Sequence, residues 1–302
     1  MRKSPGSPLM NSPNEGTASS QPPDRAPDTV AAATGRAASR GTLPDPGGFD
    51  AHTHMDILGL PVDGVLDAAR AAGITRVVNV GCDLASSRWS VSTAGEYPDA
   101  YAAVAIHPNE TGAVYREREP VLAAITALAD DPKVVAIGET GLDYYRDYSA
   151  RDVQLAWFRA HIELARRTGK ALMIHDRDAH DDVLSVLGEY APWPPYSVIF
   201  HCFSGDAEMA ERCAAAGYLM SFAGNVTFKN ADALRGAAQV APPELMLAET
   251  DAPYLTPVPH RGKPNSPAMT AYTIRYLAAL KNLDVAEFCA ILQATGSRVF
   301  GW

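Results

Sequence analysis

FDAHTHMD, Phe49 to Asp56, is the stretch whose reading decides the fold. It opens on an apolar residue and closes on two histidines two positions apart, His52 and His54, with Asp50 and Asp56 on either side. On an extended strand, residues two apart share one face, so both imidazoles point the same way. Two imidazoles aimed together at the end of a strand suit a metal, but H-x-H alone is a weak motif. Its meaning depends on what the rest of the chain brings to the same place.

Working outward from it, short apolar runs alternate with longer amphipathic ones. After GGFDAHTH come TRVVNVG (75–81), YAAVAIH (101–107), KVVAIGE (133–139), KALMIH (170–175), SVIFHCF (197–203), YLMSF (218–222) and LMLAETD (245–251). Runs of this length, apolar throughout, read as parallel strands covered on both faces. Between them VDGVLDAARAAG (62–73) and ARDVQLAWFRAHIELARRTG (150–169) read as helices with glycine stops. DAEMAERCAAAG (206–217) opens on an Asp in cap position. Eight strand–helix units predict a (β/α)8 TIM barrel, with a doubly wound open sheet as the alternative. Residues 268–302 read as closing helices, and no internal repeat is visible.

Almost every predicted strand delivers an ionisable residue at its C-terminal end: His52 and His54, His107, Glu139, His175, His201 and Asp251. In such a barrel those ends converge on one face, where active sites lie. Each residue has a plain structural reading by itself. Six strands placing such residues at one end together point to a metal centre. One divalent cation would take His52, His54, Glu139 and Asp251, and a second Glu139, His175 and His201. Two cations sharing a carboxylate suit hydrolysis of an ester by water, with Asp251 as general base. Loops at the same face add candidate substrate contacts: Asp143, Tyr144 and Arg146; Arg177; Lys229; and His260, Arg261, Lys263 and Asn265. The last group follows Asp251 on a basic loop braced by prolines, and its cations suit phosphate oxygens. Asp50 lies one pleat deeper than the histidines and is expected to orient a ligand. His161 and His180 fall on helical stretches and read as packing or surface residues.

The bulk properties limit the partners. The chain has 302 residues, 47% hydrophobic, with a formal net charge of −9. An acidic surface excludes nucleic-acid binding through a general basic patch, so a polyanion must be met locally. Residues 1 to about 47 are rich in Pro, Ser, Gly and Ala and predict a disordered leader before a single domain over 48–302. No apolar stretch is long enough for a membrane span, and no apolar region follows the basic N-terminus as in a secretory signal. The four cysteines, Cys82, Cys202, Cys213 and Cys289, show no metal or disulfide spacing and read as buried free thiols, Cys202 facing away from the mouth. A cytoplasmic protein with no obligate protein partner is expected.

FDAHTHMD, AIHPNE, IGETGLDYYRD, IHDRDA, IFHCFSGD, SFAGNVTFKNA and LAETDAPYLTPVPHRGKPNSP together resemble the TatD family of metal-dependent hydrolases, in order from Phe49 to the C-terminus. The resemblance implies a TIM barrel and a metal-dependent deoxyribonuclease, in many members a 3′–5′ exonuclease on single-stranded DNA or RNA. It implies two divalent ions, magnesium or manganese in function, held by His52, His54, Glu139, His175, His201 and Asp251. The imidazole-rich set also suits zinc. His107 matches the histidine of the family's G-x-H-P motif, linked to substrate. Ala105 replaces the usual glycine, and Asn109 stands where a second histidine is frequent; asparagine can bond a phosphate but carries no proton. A small ester, lactone or amide, or an aminoacyl-tRNA, is the alternative substrate class on the same barrel.

Overall fold

The computed structural model describes residues 42–302; the predicted leader up to residue 41 lies outside the described residues. Eight parallel strands follow one another in chain order around a single sheet: β1 Gly48–Thr53, β2 Ile74–Val80, β3 Ala100–Val104, β4 Val134–Asp143, β5 Ala171–Arg177, β6 Val198–Phe200, β7 Leu219–Phe222 and β8 Met246–Ala248. The circle is completed between the continuation of β8 and β1. Asp251 N–H donates to His52 O and His54 N–H to Ala252 O, each at 2.9 Å, and Thr53 bridges Ala252. The (β/α)8 barrel expected from the alternating runs is the observed architecture.

The helices between strands are α1 Val62–Ala71, α2 Leu84–Glu96, α3 Arg118–Ala129, α4 Arg151–Thr168, α5 His180–Glu189, α6 Ala207–Ala215 and α7 Asp232–Val240, with α8 Thr270–Leu280 and α9 Val285–Phe300 closing the chain. Their ends follow local chemistry. Asp83 and Ser86 form a reciprocal capping box on α2. The Asp206 carboxylate accepts Met209 N–H at the start of α6. α4 stops at Gly169 in the left-handed region, φ 66°. α4 turns Trp157, Phe158, Ile162 and Leu164 onto the barrel, all fully buried. His161 is buried there too, its Nδ1 2.8 Å from Thr140 Oγ1, so it is a packing residue as expected. Beneath the barrel Phe49, Phe300 and Trp302 pack edge to face. Among the described residues no helix is long and apolar enough to cross a membrane.

Two boundaries differ from expectation. The fold begins before residue 47: Leu43 is buried and its N–H donates to Ala72 O at 2.9 Å. The strand β4 runs on through Asp143, so Glu139 lies inside it rather than at its end. It sits where the pairing with β5 shifts register between Ile137 and Thr140. That irregularity re-aims a side chain within a strand.

Candidate metal centre

The six side chains expected as ligands meet at the C-terminal mouth. His52 Nε2 and His54 Nε2 lie 3.1 Å apart. Glu139 stands between the histidines and divides its oxygens. Oε1 lies 3.7 Å from both His54 Nε2 and His107 Nε2. Oε2 lies 2.6 Å from His201 Nε2 and 3.4 Å from His175 Nδ1. Asp251 Oδ1 is 3.5 Å from His54 Nε2 and 3.9 Å from His52 Nε2. Three overlapping sets have donor atoms within 4.8 Å of one another: His52–His54–Glu139, His52–His201–Asp251 and His107–Glu139–His175. His107, expected as a substrate contact, thus belongs to the cluster, buried with Nε2 3.2 Å from His175 Nδ1.

The outward nitrogens of the four histidines expected as ligands are held by different groups. His54 Nδ1 lies 3.0 Å from Val80 O, and His52 Nδ1 3.2 Å from Met173 Sδ. The other two rings are backed by carboxylates: His175 Nε2 by Asp143 Oδ2 at 3.2 Å, and His201 Nδ1 by Glu249 Oε1 at 3.3 Å. Glu249 Oε1 also accepts Cys202 N–H at 2.8 Å, while its Oε2 has no hydrogen-bond partner. Backing carboxylates fix a ring's tautomer and orientation and raise its basicity as a ligand. Asp50, expected to orient a ligand, acts on backbone rather than on a ring: its Oδ1 accepts His52 N–H at 3.3 Å. Its carboxylate accepts Thr250 N–H at 2.8 Å and Thr250 Oγ1–H at 2.5 Å, pinning β1 to the segment that carries Asp251.

Burial and mutual charge set the protonation tendencies. Burial would raise the Glu139 carboxyl, but His201, His107 and the hydrogen bonds from His175 and His201 outweigh it and hold it well below the usual carboxylate range. Burial pushes His107 down to about 3 and His52 well below an ordinary histidine, His201 adding to the latter. Both therefore favour the neutral ring that binds metal. His201 is raised well above the ordinary value because Glu139 and Glu249 overcome its burial.

The remaining expected residues divide. Asp143 is fully buried and bonds its neighbours. Its Oδ2 takes His175 and Asn109 Nδ2 (3.0 Å), and its Oδ1 accepts the N–H groups of Tyr145 (3.0 Å) and Arg146 (2.8 Å). Asn109 is drawn inward by that bond. Tyr144 donates its hydroxyl to Asp182 at 2.7 Å and lies under the Arg151 guanidinium. Asn265 is buried and donates to Thr250 O at 3.0 Å and to Tyr254 O, bracing the loop after Asp251. His260 packs edge-on against Tyr272, and Arg261 lies over Phe228 with its guanidinium carbon 4.2 Å from the ring centroid. Arg146, Lys229, Arg261 and Lys263 are exposed on strand-end loops, and Arg177 is exposed at the end of β5.

Three site residues were not expected. Glu249 repeats with Asp251 the two-residue spacing of His52 and His54, and that spacing was the available signal. Two cysteines border the site instead of lying in the core. Cys82 Sγ is 3.4 Å from Glu139 Oε1, and burial and that carboxylate push its thiol up to about 12, so it donates S–H. Cys202 is half-buried beside His201 at φ 42°. Cys213 and Cys289 are buried free thiols as expected.

This donor set fits divalent cations. His52 and His54 aim Nε2 at each other at hydrogen-bond distance, where only one can donate, and both face two carboxylates. Imidazole and carboxylate in this mixture suit first-row metals. Comparison with known proteins agrees. The family model described as TatD related DNase matches residues 49–301. A Mycobacterium tuberculosis protein named uncharacterized metal-dependent hydrolase TatD is 46% identical over 261 residues, 83% of this chain and 97% of its own. Bacillus subtilis YabD, named likewise a metal-dependent hydrolase, is 37% identical over 83% of this chain and 98% of its own. The crystal structure of YjjV, a TatD homolog from Escherichia coli, is similar at a TM-score of 0.77 and 26% identity, covering 84% of this chain and 98% of its own.

Proposed function

The chain belongs to the TatD family of metal-dependent hydrolases, and from that premise we propose that it cleaves phosphodiester bonds at the ends of single-stranded DNA or RNA, working from the 3′ end. The observation that carries this reading is the placement of charge. In a chain of net charge −9, Arg146, Lys229, Arg261 and Lys263 stand exposed on loops, and Arg177 at the end of β5, on the face that holds the imidazole–carboxylate cluster. Cations gathered there suit phosphate oxygens. An acidic remainder disfavours a long duplex footprint and leaves a strand end as the fitting substrate.

His52, His54, Glu139 and Asp251 would hold one divalent ion, and Glu139, His175 and His201 a second, with His107 beside it. Bound divalent ions supply Lewis acidity, stabilising charge on phosphoryl oxygens and making water a better nucleophile. Magnesium or manganese suits the phosphate chemistry, and zinc the imidazoles. The chain's own residues do the rest. Glu139 remains anionic and keeps the imidazoles apart. Asp251, whose side chain is 15% exposed, reaches the solvent-facing side of the cluster and accepts the proton of the attacking water. Arg261 and Lys263 follow it on a loop held by the Thr256 Oγ1 to Lys263 O bond at 2.7 Å, a braced position for phosphate. Four free thiols suit a reducing cytoplasm.

The test is incubation with a 5′-labelled single-stranded oligonucleotide and Mg²⁺, Mn²⁺ or Zn²⁺. Stepwise release of mononucleotides, stopped by a chelator, is expected. No release with any of the three metals refutes the reading.

A further inference from the structure

Among the described residues, the exposed large apolar side chains lie almost all on loops that leave strand C-termini: Ile57 and Leu60 after β1, Tyr145 and Tyr148 after β4, Tyr254 and Val258 after β8. Exposed aromatic rings grouped at one face of a soluble fold mark a contact surface.

Two of these rings are fixed to the cluster itself. Tyr145, 65% exposed, takes its backbone position from the Asp143 carboxylate that also holds His175. Tyr254, 55% exposed, donates its N–H to Asp251 O at 2.8 Å. The strands β4 and β8 stand four places apart in an eight-strand circle, so the two rings rise from opposite sides of the mouth. The Arg177 guanidinium carbon lies 4.7 Å from the Tyr145 ring centroid, and Arg261 lies on the same loop as Tyr254. A cation thus lies against the Tyr145 ring, and the loop that carries Tyr254 also carries exposed Arg261 and Lys263. Flat rings beside cations, on backbone that does not have to reorganise, match what a single strand offers: bases with π-faces and a phosphate between them. An acidic peptide would satisfy the cations and leave the rings unmatched.

We propose that Tyr145 and Tyr254 are base-stacking platforms on opposite sides of the mouth, seating the nucleobases of a single-stranded end whose phosphate reaches the metal centre. This rests on the phosphodiesterase reading above. The test compares the parent with Tyr145→Ala, Tyr254→Ala and the two Tyr→Phe variants on a metal-loaded single-stranded oligonucleotide. A second oligonucleotide carries abasic sites at its terminal nucleotides. Each alanine variant is expected to raise KM roughly tenfold on the first with kcat retained, phenylalanine to restore it, and all five proteins to share one KM on the abasic strand. Equal KM for parent and alanine variants on the base-bearing strand overturns stacking while leaving the phosphodiesterase reading in place. A KM rise that persists on the abasic strand overturns it too. No cleavage of either strand by the parent removes both.

Discussion

Glu249→Gln separates an orienting carboxylate from a merely structural one, because two measurable effects should run in opposite directions. Glutamine keeps the shape of the side chain and an oxygen that can accept Cys202 N–H, now at 2.8 Å. What it loses is the charge facing His201 Nδ1 at 3.3 Å. A hydrogen bond to a charged group contributes about 1.5–3 kcal/mol and a neutral one about 0.5–1.5, so the change removes roughly 1–1.5 kcal/mol from the hold on the ring. At about 1.4 kcal/mol per decade this is about a tenfold loss of metal affinity. The metal-free protein should respond the other way. Glu249 is fully buried, and burial raises its carboxyl above the usual range despite the attraction of His201. Because Glu139 still lies 2.6 Å from His201 Nε2, losing the Glu249 charge strands no imidazolium and relieves the desolvation of a buried carboxylate, so it costs nothing or stabilises. Titration calorimetry with Zn²⁺ should show the weaker binding, and the metal-free melting temperature should hold or rise. A variant that melts lower without metal, or that binds metal within twofold of the parent, refutes the reasoning.

Other outcomes follow from the same geometry. Glu139→Gln should lower metal stoichiometry as well as turnover, since both proposed cation sets use this carboxylate; atomic absorption on dialysed protein checks it. Asp251→Asn should cut turnover by about 10²–10⁴-fold with the fold intact, which circular dichroism and steady-state rates read together. Gly81→Ala places a Cβ 2.5 Å from the Ser87 backbone, so denaturant melts should show a loss of about 1–3 kcal/mol. His180 is raised by its bond to Asp176, 2.7 Å away, so the stability it adds is complete below its ordinary value of 6.5 and fades as pH rises through the raised one. In His180→Gln the difference in melting temperature between pH 6 and pH 8.5 should shrink.

The barrel was legible because its strands carry apolar, β-branched pairs that face both ways, as Val77 and Val78 do in β2, and because glycine stops mark α1 and α4. The cluster was legible because most of its members sit at strand ends, the one place where a polar side chain can face inward. Glu139 shows where this reasoning thins. GETGLD reads as loop by composition, yet backbone pairing with β5 carries the strand through it to Asp143. Cys202 was placed in the core by extending strand alternation past Phe200, but β6 ends there and the backbone turns to φ 42°. Asp143 looked like a loop carboxylate because nothing local shows that His175 and Asn109, from other strands' ends, will both bond it. Such partners are set by barrel closure and have no local signature.

That shared use of Asp143 has a thermodynamic consequence. One carboxylate holds a ring of the cluster with one oxygen and the backbone of the Tyr145–Arg146 arm with the other. The two equilibria are then not independent. A molecule that favours the arm conformation stabilised by Asp143 also favours the His175 orientation, and an ion that holds His175 favours that arm. Linkage makes the coupling reciprocal: whatever factor the ion adds to affinity at the arm, a ligand on the arm adds to affinity for the ion. Asp143→Asn should weaken both affinities and also reduce the factor by which each raises the other.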